Sequence, residues 1–380
     1  MKNLKKFYKN KKILITGVTG FKGAWLSIWL SRLGAEVIGI SLAQVEKPNL
    51  FCEAQVEHLC SQSYFCDISD SLKFPELVRS INPDVVFHLA AQALVRPSYQ
   101  DPVTTFRTNF MGSIHLLDAI RGLSDVRVIV MITTDKVYKT LQSPRPFCED
   151  DALGGYDPYS ASKASSEIAI ASFRDAFLTE QGVALATARA GNVIAGGDWS
   201  IDRLLPDAVK AWKSGETLVI RRPDAIRPWQ HVLEPLAGYL ILAESLWSRP
   251  ELACSYNFGP KEQNQVSVKS IIELASKYFD NAQIMYGDPH EGPFESEYLA
   301  LDTSKAKNKL GYFPVWDCKE SVERAMNWYV LWNSGVTAID LCNSDFDHYE
   351  NSRQINFQSL SKLFLLTFVF DLVRSQKDED

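Results

Sequence analysis

A doubly wound parallel α/β sheet, followed by a smaller C-terminal α/β lobe, is the fold class that this 380-residue sequence predicts. Three observations carry it. Short β-branched runs alternate with helix-periodic segments through the first 190 residues, the pattern of successive βαβ units with right-handed crossovers. A glycine turn, Gly17, Gly20 and Gly23, stands between the first such run and the first helix. Beyond about residue 190 the chain becomes rich in Gly, Asp, Arg and Pro, as a separate lobe of shorter elements would be.

The elements follow in order. Residues 12–16 form an apolar strand, and 23–33 carry Ala24, Ile28, Trp29 and Leu33 near helical spacing. Residues 36–42 read as a second strand, 75–80 as helix and 84–89 as a buried strand. Residues 104–123 form a long helix, 126–133 a Val- and Ile-rich strand, 159–179 a helix and 184–189 a strand. Further helices are expected at 206–214, 233–248, 266–279 and 302–310, and the helix at 233–248 packs back on the first domain. The division is therefore 1–190 with about 231–254 for the first domain, 191–230 and 255–340 for the second, and a divergent tail at 341–380.

Composition narrows the function. The apolar share of 46% and charged share of 23% are those of an ordinary globular protein. A net charge of −6 offers no footprint for nucleic acid, so an anionic ligand needs a local basic pocket. Seven irregularly spaced cysteines without a CxxC pair suggest neither metal nor a disulfide framework, and point to reduced thiols in a cytoplasmic protein. No apolar run reaches the ~20 residues of a membrane span. The basic first dozen residues lack the apolar core of a signal peptide.

The glycine turn permits close approach of backbone to a pyrophosphate, and the helix it opens presents free N–H groups at a positive dipole end. Its spacing is GxxGxxG, and Thr19, Phe21 and Lys22 complete it. The second strand ends in Ser41 where an acid for ribose hydroxyls would stand, so its end does not choose between NAD and NADP. Tyr159 and Lys163 stand four apart on one helical face, and an ammonium beside a phenol favours the phenolate. His88, Leu89, Ala90 and Ala91 close one strand, with small residues that let a flat group lie on backbone. Thr133, Thr134, Asp135 and Lys136 end the next, at the edge where open α/β sheets bind ligands.

Taken together, GxxGxxG, Asp67 and Ile68 after the third strand, HLAA, Asn109, the threonine before Asp135 and YxxxK resemble the extended short-chain dehydrogenase/reductases over roughly residues 10 to 340. The resemblance implies a Rossmann domain with a sugar-nucleotide lobe, NAD as cofactor, Asp67 and Ile68 at the adenine, Ala90 and Ala91 along the cofactor, and Asn109 as a structural hydrogen-bonder. Within that superfamily the nucleotide-sugar 4,6-dehydratases carry Thr-Asp-Glu at the active strand end. Here Thr134, Asp135 and Lys136 resemble the subgroup acting on CDP-glucose, as do the flanking 94–99, 191–199 and 226–232 motifs.

That resemblance implies Tyr159 as base at the sugar 4-hydroxyl with Thr134 beside it, Asp135 as acid at the departing 6-hydroxyl, and Lys136 either as the C5 base or as an enolate-stabilising cation. It makes Arg227 the best pyrophosphate ligand, Arg203 a second, and Asn192 a contact to sugar or first phosphate. Arg221 and Arg222 stand between pocket and solvated edge, Trp199 and Trp229 between core and pocket wall, and His88 and His231 read as structural. An epimerase or reductase on the same scaffold, or a non-catalytic cofactor-binding regulator, are the competing readings. A homodimer or dimer of dimers is expected through the helices at 104–123 and 159–179. The apolar run at 363–370 is too short to span a bilayer, and residues after about 350 are expected to be dispensable for catalysis.

Overall fold

The computed structural model describes residues 2–43, 47–140, 145–261, 266–287 and 298–355; the 363–370 run lies outside them. Seven strands form one sheet: β1 (Lys12–Thr16), β2 (Glu36–Ser41), β3 (Gln62–Phe65), β4 (Val85–His88), β5 (Val128–Ile132), β6 (Ala184–Ala190) and β7 (Ser255–Phe258). They run β7-β6-β5-β4-β1-β2-β3, and every pair is parallel. Their near-continuous Val, Ile, Leu and Ala content follows from burial on both faces.

The strand order reverses between β1 and β4. In register there, Thr16 lies beside Ile40 on one side and His88 on the other, so the carboxyl ends of β1, β2 and β4 form one rim. Ligands of open α/β sheets bind at such a switch point.

The helix Phe21–Arg32 rises from this rim and is buried on all sides, Trp25 and Trp29 being wholly enclosed. Its outer face is covered by a helix at 338–355, where Phe346 lies 5.3 Å from both tryptophan rings and Trp29 Nε1 donates to Glu350. The divergent tail expected from 341 therefore begins as core structure: Leu341, Cys342, Phe346 and Tyr349 are buried, and their helical spacing turns one face onto the first helix. Ser352 and Arg353, past the expected limit of about 350, accept from Trp316 Nε1 and donate to the Phe313 carbonyl.

The domain boundary also moves. Residues 255–258, assigned to the second lobe, complete the large sheet beside β6 because Tyr256 and Phe258 need its buried face. The expected helix at 266–279 starts later, at Val268–Ala275, where Ser267 caps it by accepting from Ser270 N and Val266–Ser267 pairs as strand with Ile226–Arg227. Leu204–Lys213, Ser304–Leu310 and Cys318–Asn333 are the other α-helices of this lobe among the described residues.

Candidate active site

The site grows from three strand ends and two helix starts. At β1, Gly17 has φ +81°, and a Cβ placed on it would stand 2.7 Å from Ala90 N. Only glycine lets this turn lie so close to the end of β4. Gly20 N donates to the Gly17 carbonyl and Ala24 N to that of Gly20, which tips the chain into the Phe21–Arg32 helix. That helix start has no side-chain cap, so its first N–H groups face the cleft for an anion.

Beside it, the hydroxyls of Thr19 and Ser41 lie 2.6 Å apart, and Thr19 also donates to the Leu42 carbonyl. Ser41 thus ties β2 to the turn. Thr16 and His88 Nδ1 are 2.7 Å apart, and Ala90 N donates to Thr16 Oγ1, which fixes the course of Leu89, Ala90 and Ala91. Burial drives His88 down to about 3, with Lys163 adding to the effect, so it is neutral and braces the rim. Asn109 does the same for the next loop: it accepts from Gln92 N and donates to the Gln92 carbonyl and to Ser162. Asp67 and Ile68 lie at the far end of the cavity, where Asp67 accepts from Ser69 N.

At β5 the chain turns through Asp135–Val137, and Thr134 caps this turn by accepting from Lys136 N. The turn brings Lys136 Nζ to 3.0 Å from Asp135 Oδ1, which also accepts from Thr134 Oγ1. Asp135 is fully buried, and its Oδ2 has no hydrogen-bond partner. Facing them is the helix Pro158–Phe173, started by Pro158 and by Asp157, which accepts from Ser160 N. It carries Tyr159 and Lys163 into the cleft, where Tyr159 hydrogen-bonds with Thr134 and Lys163 Nζ donates to the Ile132 carbonyl.

One expectation needs correction here. Burial pushes the Tyr159 phenol up, opposed by the Thr134 hydrogen bond and by Arg203, rather than Lys163 pulling it down. The reason is geometric: Lys163 spends its ammonium on a backbone carbonyl, and burial brings Lys163 itself down to about 8, with Glu167 opposing. Lys22 is likewise held at about 8, first by burial and then by Arg203, with Asp135 opposing.

These residues enclose a cavity of about 530 Å³ that includes Gly17, Thr19, Gly20, Phe21, Lys22, Gly23, Ser41, Asp67, Ile68, Leu89, Ala90, Ala91, Thr134, Asp135, Lys136, Tyr159, Lys163, Asn192 and Arg203. Four cations, Lys22, Lys136, Lys163 and Arg203, line it with three carboxylates, Asp67, Asp135 and Asp198, a local excess of positive charge in a chain of net charge −6. The glycine cradle, open helix start and partnerless Asp135 and Asn192 oxygens suit a flat, phosphate-bearing ligand. A second cavity of about 420 Å³ adjoins it through Asn192 and Arg203 and takes in Arg221, Arg222, Arg227 and Trp229. Arg227 is buried there and donates to the Ile226 carbonyl. Trp199 instead packs on Trp328 and Trp332, and His231 is buried neutral, pushed to about 3 by burial and then Arg324.

Sequence reasoning missed Gln92, Asp198 and Ser200 on the first cavity and Arg96, Asp202 and Asp207 on the second. It also missed Glu167, although its place four residues beyond Lys163 continues the Tyr159–Lys163 face. No group of three or more His, Cys, Asp or Glu suited to a metal ion occurs among the described residues. No helix among them is long and apolar enough to cross a membrane.

Sheet, glycine turn and tyrosine–lysine helix define the class, a Rossmann-like α/β protein of short-chain dehydrogenase type. The chain belongs to the GDP-mannose 4,6-dehydratase family, whose model matches residues 14–325. It is 40% identical over 353 residues to the CDP-glucose 4,6-dehydratase of Salmonella typhimurium, covering 91% of this chain and 98% of that one. A dTDP-glucose 4,6-dehydratase of Xanthomonas campestris pv. campestris is 25% identical, over 85% and 95% of the two chains. Among solved structures, an epimerase from Methanothermobacter thermautotrophicus superposes with a TM-score of 0.76 at 22% identity, covering 87% of this chain and 96% of that one. The UDP-glucuronic acid 4-epimerase of Bacillus cereus, solved with UDP-glucuronic acid and NAD, gives 0.73 at 24%, over 84% and 99%.

Proposed function

We propose that this chain is an NAD-dependent CDP-glucose 4,6-dehydratase, a hydro-lyase that converts CDP-glucose to CDP-4-dehydro-6-deoxyglucose and water. The observation that carries the reading is the Asp135–Lys136 ion pair at the β5 end, set beside Thr134 and Tyr159, in a chain 40% identical to a protein of that name. NAD, when bound, would supply the hydride acceptor for sugar C4 and the hydride donor for C6.

The glycine turn, Ser41, Asp67, Ile68 and Leu89 to Ala91 hold the cofactor, and Arg203, Arg227 and Asn192 hold the sugar nucleotide. Tyr159 takes the 4-hydroxyl proton while Thr134 orients that oxygen. The raised phenol makes Tyr159 a strong base once ionised, and an oxidised nicotinamide bound in the cleft would favour that ionisation. Oxidation at C4 acidifies the C5 hydrogen.

Across the 3.0 Å of the Asp135–Lys136 pair, one proton shift turns ammonium and carboxylate into neutral amine and carboxylic acid. The amine takes the C5 proton, the C5 electron pair forms the C5–C6 double bond, and hydroxide leaves C6 with the Asp135 proton as water. The pair is then ionic again; as hydride reaches C6 the Lys136 ammonium returns its proton to C5, and the proton that Tyr159 took from the 4-hydroxyl recharges the lysine through solvent. The lysine thus does the work of the glutamate in related dehydratases without an additional proton donor.

The downstream product is a deoxysugar of a surface polysaccharide, made in the cytoplasm. The enzyme pairs through the helices that include 102–120 and 158–178, whose Val103, Ile168 and Phe177 side chains are exposed. Purified protein is incubated with NAD and, separately, CDP-glucose, dTDP-glucose, GDP-mannose and UDP-glucose, with each sugar nucleotide followed by mass spectrometry. Loss of one water from CDP-glucose alone is expected; an isomeric product without mass change moves the chain to the epimerases.

A further inference from the structure

Behind the cleft, Glu167 sits fully enclosed and is met by donors from three strands. Thr133 Oγ1 donates to Oε1, Thr187 Oγ1 donates to Oε2 at 2.8 Å, and Arg189 reaches both oxygens at 2.9 Å through Nε and Nη2. Ser255 adds a longer contact of 3.4 Å from β7. Arg189 continues to the Tyr138 hydroxyl, and Tyr138 donates to Asn257, so the segment after the active strand end joins the same network.

The tyrosine helix meets β5 at three successive points. Tyr159 pairs with Thr134, Lys163 with the Ile132 carbonyl, and Glu167 with Thr133. Residues four apart on the helix thus engage neighbouring residues of the strand end. A fully bonded carboxylate paired with a buried arginine is costly to place, and its energetic gain over an apolar pair is small. Its consequence for the site is a fixed negative charge one turn below Lys163.

We propose that Glu167 is a positioning residue for the reaction, fixing the register of the tyrosine helix on the β5 end and keeping Lys163 in its cationic form. The proposal rests on the roles of Tyr159 and Lys163 given above. The charged and titratable groups facing Lys163 are Glu167 and Tyr159 on its own helix, neutral His88 from β4, Lys22 from the glycine turn, and Asp135 and Lys136 at the β5 end. Glu167 is the group that raises Lys163 against its burial, which otherwise brings it down.

The test reads Lys163 directly. Carbon-13-labelled lysine side chains are titrated by NMR in the full chain, with Lys163 assigned by its absence in Lys163→Arg. Expected is a titration at lower pH in Glu167→Gln than in the wild type, with the alkaline limb of kcat on CDP-glucose moving in step and Glu167→Asp recovering part of the shift. An unchanged Lys163 titration in Glu167→Gln overturns the proposal. Should that variant fail to fold, Glu167→Gln with Arg189→Met leaves no unpaired buried charge and is read by the same criterion. A wild type that leaves CDP-glucose unaltered sinks the proposed function, while the titration still decides the place of Glu167.

Discussion

Asp135 and Lys136 are consecutive residues whose side chains close on each other, Nζ to Oδ1 at 3.0 Å, while the second oxygen of Asp135 has no partner. In the proposed mechanism this pair is the acid and the base of one elimination, sharing a single proton. Lys136→Met removes the base and leaves the carboxylate without its proton source. The expected result is loss of water elimination by about 10²–10⁴-fold with C4 oxidation retained. Nicotinamide absorbance in a single turnover reads the first step and mass spectrometry the second; normal turnover would refute the role.

Gly17→Ala tests the glycine cradle. The added Cβ meets Ala90 N at 2.7 Å in a left-handed backbone, so the turn must open. Cofactor affinity should fall about 5- to 150-fold, since strain of about 1–3 kcal/mol is introduced where the ligand lies. Calorimetric titration with NAD checks it, and unchanged affinity would place the cofactor elsewhere.

Asp345 predicts a pH dependence of stability. Burial raises its carboxyl from 3.8 to about 7, against the pull of Arg324. The folded protein then keeps a proton that the unfolded chain has released. The stabilisation is complete below the unfolded value and is lost as pH rises through the folded one, the window from about 4 to 7. Asp345→Asn should therefore flatten part of the decline in melting temperature over that window. Glu234, raised to about 6 by burial, supplies a remaining slope of the same sign.

Phe346→Ala empties the space between Trp25 and Trp29. A loss of about 3–5 kcal/mol is expected for an aromatic side chain so enclosed. Denaturant unfolding measures it. A cost below about 1 kcal/mol would mean that the helix at 338–355 is only lightly docked.

The sheet was legible because its strands are buried on both faces and read as apolar runs between turns. Val128–Ile132 and Ala184–Ala190 are examples. The rim residues were legible because GxxGxxG and YxxxK place chemistry at fixed distances along the chain. Less legible was whatever depends on partners far apart in sequence. Ser255–Phe258 reads as a strand only once β6 is beside it, and the helix at 338–355 turns part of its apolar stripe onto tryptophans some 320 residues earlier. The Tyr159 phenol shows the same limit. An i,i+4 lysine suggests a lowered value, but the carbonyl that takes up the lysine is on another element.

The packing of Phe346 and Glu350 against Trp25 and Trp29 sets an order of events during synthesis. The helix Phe21–Arg32 leaves the ribosome early with two indoles whose outer face the late helix covers. At about 5–20 residues per second, the wait between them is roughly 15 to 60 s. Through that interval the nascent chain carries an uncovered aromatic stripe, so chaperone engagement should concentrate on the Trp25–Trp29 face and end once residue 350 has emerged.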